Sequence, residues 1–183
     1  MKIQTIILWV VLLIIIDQVI KIIIYWYYFD IHVEIVPSLL EFNPIFNDKH
    51  SYVSSLISKK FHVNIGLLPH LITFFILQVI TFLLYGFFKK LYENTKLIDC
   101  VIIFQLAGMI CALIGNIVWE KGTLDYIYLK PLFTFDLKDL YINTFACLFF
   151  IFWYKHRKEL KSIKWKDVIK YLKKCIVRQQ VQK

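Results

Sequence analysis

Charge is scarce in this chain: Asp, Glu, Lys and Arg make up 19% of its residues, against 59% that are hydrophobic. That balance excludes an ordinary water-soluble domain. With a mean hydropathy of +0.62 the sequence is that of an integral membrane protein. Cysteine is sparse too. The four present, Cys100, Cys111, Cys147 and Cys175, fall in or near apolar runs or in the C-terminal tail without metal-type spacing, so no disulfide framework is implied. There is no HExxH, and His32, His50, His62 and His70 are scattered, so neither a metal site nor a cofactor is expected. No internal repeat and no pair of Gly- or Pro-broken helices is present, which argues against a small transporter or channel subunit coupling ions through its acids. No small-residue cleavage site follows the first apolar run. Polar Asp17, Gln18 and Lys21 stand there instead, and the run is expected to remain as a helix.

What the chain does have is long apolar stretches. About 20 such residues cross a bilayer core as a helix, and the hydropathy predicts four spans, at Ile3–Tyr28, Leu67–Phe88, Leu97–Trp119 and Leu140–Tyr154, the last expected to start inside the preceding loop. After Tyr154 the chain carries eleven Lys or Arg against Glu159 and Asp167, which equals the whole formal excess of +9. This charge belongs at an anionic membrane face, and nucleic acid is not an expected partner. The positive-inside rule makes that tail cytoplasmic, along with Lys2, Lys89, Lys90 and Lys96. Both termini are then inside, and Phe29–Gly66 and Glu120–Asp139 are outside. Lys49, Lys59 and Lys60 in the first outer segment soften this bias without reversing it.

Asp17 and Lys21 are four residues apart on one face of the first span, with the acid nearer the N-terminus, the better order for an ion pair. They are expected to neutralise each other near the outer interface, either to position the helix or to help shape a site. Alternation around Ile31–Val36 and Leu40–Phe46 suggests short strands. Trp26, Tyr27, Tyr28 and Phe29 suit the interface. Between Lys161 and Val177, Trp165, Val168, Ile169, Leu172 and Ile176 share a face opposite lysines, the pattern of a basic amphipathic helix on the inner leaflet or of a solvated extension. The chain therefore divides into a membrane domain, residues 1–154 including the outer segment 29–66, and a basic tail, residues 155–183.

The chemistry centres on Asp125 and Asp139, squeezed between the third and fourth apolar runs. A carboxylate near hydrocarbon costs a few kcal/mol, and such groups are functional candidates by default. Two that share a site cannot both ionise easily, so they can divide acid and base roles. One deprotonates water while the other, neutral, polarises a carbonyl, which suffices to hydrolyse an amide without metal or nucleophile. Asn116 could orient an aspartate, bind substrate backbone, or make an interhelical hydrogen bond, and Lys138 or Lys121 could tune the pair electrostatically. The plain alternative for the two aspartates is pairing with Lys121, Lys130 or Lys138.

These residues carry a resemblance. Asp17-Gln18-x-x-Lys21, Gly115-Asn116, Gly122-Thr123-Leu124-Asp125-Tyr126 and Phe135-Asp136-Leu137-Lys138-Asp139 follow in order the motifs of lipoprotein signal peptidase, signal peptidase II, over about residues 10–155. The third motif is one residue short. Where the family has Asp-Arg after Gly-Asn, this chain has Trp119-Glu120, with Lys121 the nearest cation. The family's asparagine and alanine before the second aspartate are Asp136 and Lys138. Of the outer-loop pattern Asn-x-Gly-Ala-Ala-Phe, the stretch Asn47–Tyr52 keeps the asparagine and an aromatic.

The resemblance implies a membrane all-α fold of four transmembrane helices, with an extracytoplasmic segment between helices 1 and 2. It implies an aspartic endopeptidase of the bacterial inner membrane that removes signal peptides from prolipoproteins just before a diacylglyceryl-modified cysteine. The catalytic pair would be Asp125 and Asp139, supported by Asn116, Asp136, Asp17, Lys21 and Asn47. The partners would be the prolipoprotein signal peptide and membrane lipids, and the protein is expected to act as a monomer. The altered motifs leave a second reading, a homologue without catalysis that binds lipidated or helical clients.

Overall fold

The structure is a computed structural model, and it describes residues 1–47, 67–92, 95–119, 121–163, 166, 168, 169 and 171. Four long helices and one small sheet make up the described part. Helix α1 (Ile3–Ile23) runs without a glycine or proline and continues as a π-turn over Ile24–Tyr28. Strands β1 (Val33–Val36) and β2 (Leu40–Asn47) follow, then α2 (Leu67–Leu91) and α3 (Lys96–Ile117). The chain closes with β3 (Thr123–Leu129), β4 (Phe133–Phe135) and α4 (Leu137–Ser162).

Three helical stretches, Ile3–Tyr28, Leu71–Leu91 and Lys96–Ile117, are long and apolar enough to cross a membrane. The expected bounds hold to within a few residues, although Trp119 lies beyond the end of α3. Helix α4 outruns the apolar stretch 140–154 at both ends. A reciprocal cap starts it at Asp136, and it continues as a basic helix through Lys161. Its charged end is why it does not qualify as a span on composition. The amphipathic reading of the tail rests largely on residues 164–183, which lie mostly outside those described.

Helix α3 is the centre of the bundle, with half of its apolar window buried. Its face toward α4 is built from small residues. Ala107 and Cys111 are fully buried, and a Cβ on Gly108 would lie 2.8 Å from Ile142 Cγ1 and 3.3 Å from the Lys138 carbonyl. Small side chains let helix backbones approach where lipid supplies no hydrophobic drive, and here they set the first turn of α4 close against α3. On the other side Ile102 and Ile103 pack with Ile6 and Val10 of α1. Near the start of α3, Ile98 and Val101 pack with Phe152. Fully buried Asp99 meets Lys89 Nζ at 3.0 Å, Tyr85 Oη at 2.7 Å and the Met1 amine. Outward-facing Ile7, Leu8, Phe75, Ile76 and Val79 are exposed, as a lipid-facing surface requires.

The all-α expectation is corrected by a four-stranded antiparallel sheet, ordered β1-β2-β3-β4. The strands anticipated from alternation are its first two. Its second hairpin comes from the segment between α3 and α4. In the register Phe42 stands opposite Ile127, Ile45 opposite Asp125 and Asn47 opposite Thr123, with an irregularity between Phe42 and Ile45. That irregularity contains Pro44, which has no N–H to give to the ladder. Glu34 and Glu41 face each other across β1 and β2, and Lys130 offsets the repulsion with ion pairs of 2.6 and 2.7 Å.

Candidate active site: a carboxylate cluster where sheet meets bundle

Strand β3 delivers Asp125, 2% exposed, to the first turn of α4. Sequence and backbone geometry fix that turn together. Asp136 is the N-cap of α4, its Oδ1 accepts from the Asp139 N–H at 3.2 Å, and Asp139 Oδ2 accepts in return from the Asp136 N–H at 3.2 Å. Two helix-end donors are thereby satisfied reciprocally, as in a capping box, and the Asp139 carboxylate is held toward the sheet. Carboxylate oxygens of Asp125, Asp136 and Asp139 come within 4.8 Å of one another. Asp139 is the accessible member, its side chain 36% exposed.

Lys138 enters this group from the same turn. Its Nζ lies 2.8 Å from Asp125 Oδ1, 2.9 Å from Asp136 Oδ1 and 3.4 Å from Asp139 Oδ2. Behind Asp136 sits a second cation. Lys21 Nζ lies 2.6 Å from Asp136 Oδ2 and 3.0 Å from Asp17 Oδ2, with all three side chains essentially inaccessible. Four carboxyls and two ammoniums thus form one chain of contacts, Asp17–Lys21–Asp136–Lys138–Asp125/Asp139. On the sheet side Asn47 Nδ2 donates to Asp125 Oδ2 at 3.0 Å. Asn116 Nδ2 donates to the Ala112 carbonyl, 2.8 Å, one turn back in α3. Of the alternative partners for the aspartates, only Lys138 reaches them by ion pairing; Lys130 is engaged by Glu34 and Glu41, and Lys121 lies over the Phe46 ring.

The electrostatics separate the three acids. Burial raises Asp125 above the usual carboxylate range, Lys138 and Asn47 pull it back, and Asp136 adds to the rise. Burial and the charges of Asp136 and Asp125 push the Asp139 carboxyl up to about 6, against the pull of Lys138. Asp139 precedes the apolar run of α4, which starts at Leu140. Burial acts on Asp136 in the same sense, yet Lys138 and Lys21 hold it below the ordinary value. For Lys138 itself, the three carboxylates outweigh the cost of burial and keep the ammonium charged.

Two features escaped the sequence reading. The capping box was legible as Asp136-x-x-Asp139 immediately before an apolar run, a signal that also predicts the helix start. The bridging position of Lys138 was not, because it depends on β3 arriving opposite α4. Trp119, which stands near the family's Asp-Arg position, joins a ring cluster instead, 5.5 Å from Tyr25 and 6.1 Å from Phe46 between centroids. Phe29 completes it, 5.3 Å from Phe46. Aromatic pairs of this kind add about 0.5–1.5 kcal/mol each beyond area burial, and here they tie the end of β2, next to Asn47, to α1. The rest of the outer-loop stretch, residues 48–52, lies outside the described residues.

A helical membrane bundle with paired, unequally titrating aspartates at one end of it is an arrangement suited to acid–base hydrolysis. The sequence profile of signal peptidase (SPase) II matches residues 9–155, and the chain belongs to that family of aspartic membrane peptidases. A search of curated proteins finds no match. The chain is similar in fold to a solved bacterial membrane enzyme structure, with a TM-score of 0.60 and 24% identity over 88% of this chain and 94% of that one. A second bacterial membrane enzyme structure gives a TM-score of 0.58 and 24% identity over 81% and 92%.

Proposed function

We propose that this protein is a lipoprotein signal peptidase: a multi-pass enzyme of the bacterial inner membrane that cleaves prolipoproteins before a diacylglyceryl-modified cysteine. The observation that carries the reading is the convergence of the Asp125 and Asp139 carboxylates from different elements to within 4.8 Å. A water hydrogen-bonded at about 2.8 Å to each acid fits such a separation. The apolar stretch 140–154 of α4 serves as the fourth span, its basic end following Tyr154. The Met1 amine and Lys89 both meet Asp99, and the sheet joins the opposite ends of α1, α3 and α4. A cytoplasmic placement of the basic end therefore puts the carboxylates at the outer face.

In this mechanism Asp125 is the ionised base, because Lys138 and Asn47 both donate to it. Burial and the neighbouring carboxylates push the Asp139 carboxyl up to about 6, so a fraction of it still holds the proton near neutral pH, and that fraction supplies the acid. Asp125 takes a proton from the water as the oxygen attacks the scissile carbonyl, and Asp139 gives its proton to the carbonyl oxygen. As the tetrahedral diol collapses, Asp125 passes its proton to the departing amine and one diol hydroxyl returns a proton to Asp139, which restores both acids and completes the exchange of one C–N bond for one C–O bond.

The test is cleavage of a synthetic precursor peptide carrying a diacylglyceryl cysteine by the purified protein in lipid or detergent. Asp125→Asn and Asp139→Asn should each lower the rate by at least about a hundredfold. Undiminished cleavage by either variant removes the assignment. One contact favours the second reading, a non-catalytic binder of lipidated or helical clients: Lys138 Nζ stands between the two aspartates, where a shared water would lie. Tight binding of the precursor by the wild type without cleavage decides for that reading.

A further inference from the structure

Lys138 is an unusual group to find at such a position. It is a lysine nine-tenths buried, on the turn that also carries two of the three carboxylates it bridges. An isolated ammonium there would be too costly to keep, and an isolated third carboxylate at Asp136, 1% exposed, would be equally so. Each is tolerable because the other is present. Asp136 takes Lys138 on Oδ1 and Lys21 on Oδ2, so each of its oxygens faces a cation. Lys138 uses its remaining donors on Asp125 and Asp139.

Building on the peptidase reading, we propose that Asp136 and Lys138 are a matched charge pair inserted into the site. Lys138 is a positioning residue that holds Asp125 in its ionised, reactive orientation, and Asp136 cancels the excess charge this would impose on the aspartate pair. The surrounding groups bear this out element by element. Helix α1 contributes Asp17 and Lys21, which already neutralise each other apart from the Lys21 contact to Asp136. Strand β2 contributes the neutral amide of Asn47, β3 contributes Asp125 and the Tyr126 phenol, and α3 contributes the Cys111 thiol. Among the described residues, Lys138 is therefore the one cation in direct contact with the proposed catalytic pair.

The consequence is that the two substitutions are interdependent, with opposite signs. Without Lys138, both carboxyls of the pair ionise less readily, and both limbs of the pH–rate profile move to higher pH. An opposite charge at this range is worth about 1–3 pH units. Without the charge of Asp136 both limbs move to lower pH. Removing both leaves the pair close to its starting balance.

The experiment compares wild type, Lys138→Met, Asp136→Asn and the double variant, with Lys138→Arg as the conservative control. Asparagine keeps an oxygen to cap α4, so the helix start is preserved. With the diacylglyceryl precursor peptide, Lys138→Met should shift the profile up by about one unit or more and Asp136→Asn should shift it down. The double variant should return to within about half a unit of wild type, and Lys138→Arg should leave the profile near its original position. A merely structural lysine would lower the rate without moving either limb, and that result, or additive losses in the double variant, overturns the proposal. If the wild type cleaves nothing, it is the peptidase reading that has failed. The pairing is then tested by thermal unfolding of the same set, where recovery in the double variant upholds it and additivity overturns it.

Discussion

Replacement of Lys21 by methionine probes the least accessible part of the charge network. Lys21 Nζ and its two partners, Asp17 at 3.0 Å and Asp136 at 2.6 Å, are shut away from solvent. Removing one partner of a buried ion pair costs about 3–5 kcal/mol, because the remaining charge is left uncompensated. The two aspartates do not suffer equally. Asp136 keeps the Lys138 ammonium at 2.9 Å, whereas Asp17 keeps neutral donors, the Gln18 amide at 2.8 Å and the Cys111 thiol. The loss therefore falls mainly on Asp17, whose buried carboxylate is left without a cation, while Asp136 stays compensated. The expected destabilisation is thus about 3–5 kcal/mol, or an apparent melting temperature lower by roughly 10 °C for a chain of this size. Tryptophan fluorescence during heating in detergent reads it directly. The control is the neutral triple variant Asp17→Asn, Lys21→Met, Asp136→Asn, which should regain most of the loss because no buried charge is left alone. A Lys21→Met midpoint within about 2 °C of wild type would refute the reasoning. A triple variant as unstable as the single would assign the loss to shape instead of charge.

Three further outcomes follow from the geometry. Because the Asp139 carboxyl is raised from 3.8 to about 6, the folded state takes up its proton more readily than the unfolded chain. Its contribution to stability is complete below about pH 4 and is lost as pH rises through about 6; in Asp139→Asn, melting temperatures measured from pH 4 to 8 should lack that decline. A Cβ on Gly115 would press on Thr123 Cγ2, two residues from Asp125, so Gly115→Ala should cost about 1–3 kcal/mol. Adding Thr123→Ser, which deletes the obstructing methyl, should restore both the melting temperature and the cleavage rate. Asn47→Ala removes the 3.0 Å bond to Asp125, and should lower kcat by about tenfold with little change in KM, since about 1.5 kcal/mol of support to the charged acid is lost.

Much of the architecture was legible because hydropathy and period are local signals. The helices α1, α2 and α3 lie close to the apolar runs that announced them, and β1 and β2 lie where alternation placed them. Strands β3 and β4 were not anticipated. Thr123–Leu129 mixes Asp125 and three aromatic or polar residues into a short stretch, so the strand character of β3 comes from pairing with β2 across a long chain separation, and the three residues of β4 are held by pairing with β3. Helix α4 starts ahead of its apolar run, as expected, and also runs past it, because its capped start and basic end are held by hydrogen bonds and packing on α3 beyond residues 140–154. In the site, Asp17, Lys21, Asn47, Asp125, Asp136 and Asp139 come together at one end of the bundle, while the bond described for Asn116 stays within its own helix. The sequence leaves both Lys138 and Lys121 open as the cation beside the aspartate pair. Side-chain reach separates them, since Lys121 lies over Phe46 and Lys138 meets the acids.

The hydrogen bond from Asn47 to Asp125 joins residues 78 positions apart, with α2 and α3 threaded between them. During synthesis, the first hairpin leaves the ribosome well before the strand that will zip onto it, and Asp136 to Asp139 emerge later still. A half-made chain therefore has no cluster of acids anywhere, and whatever chemistry the cluster performs begins only after the final helix has docked. Timing of that kind leaves the cluster unassembled throughout membrane insertion.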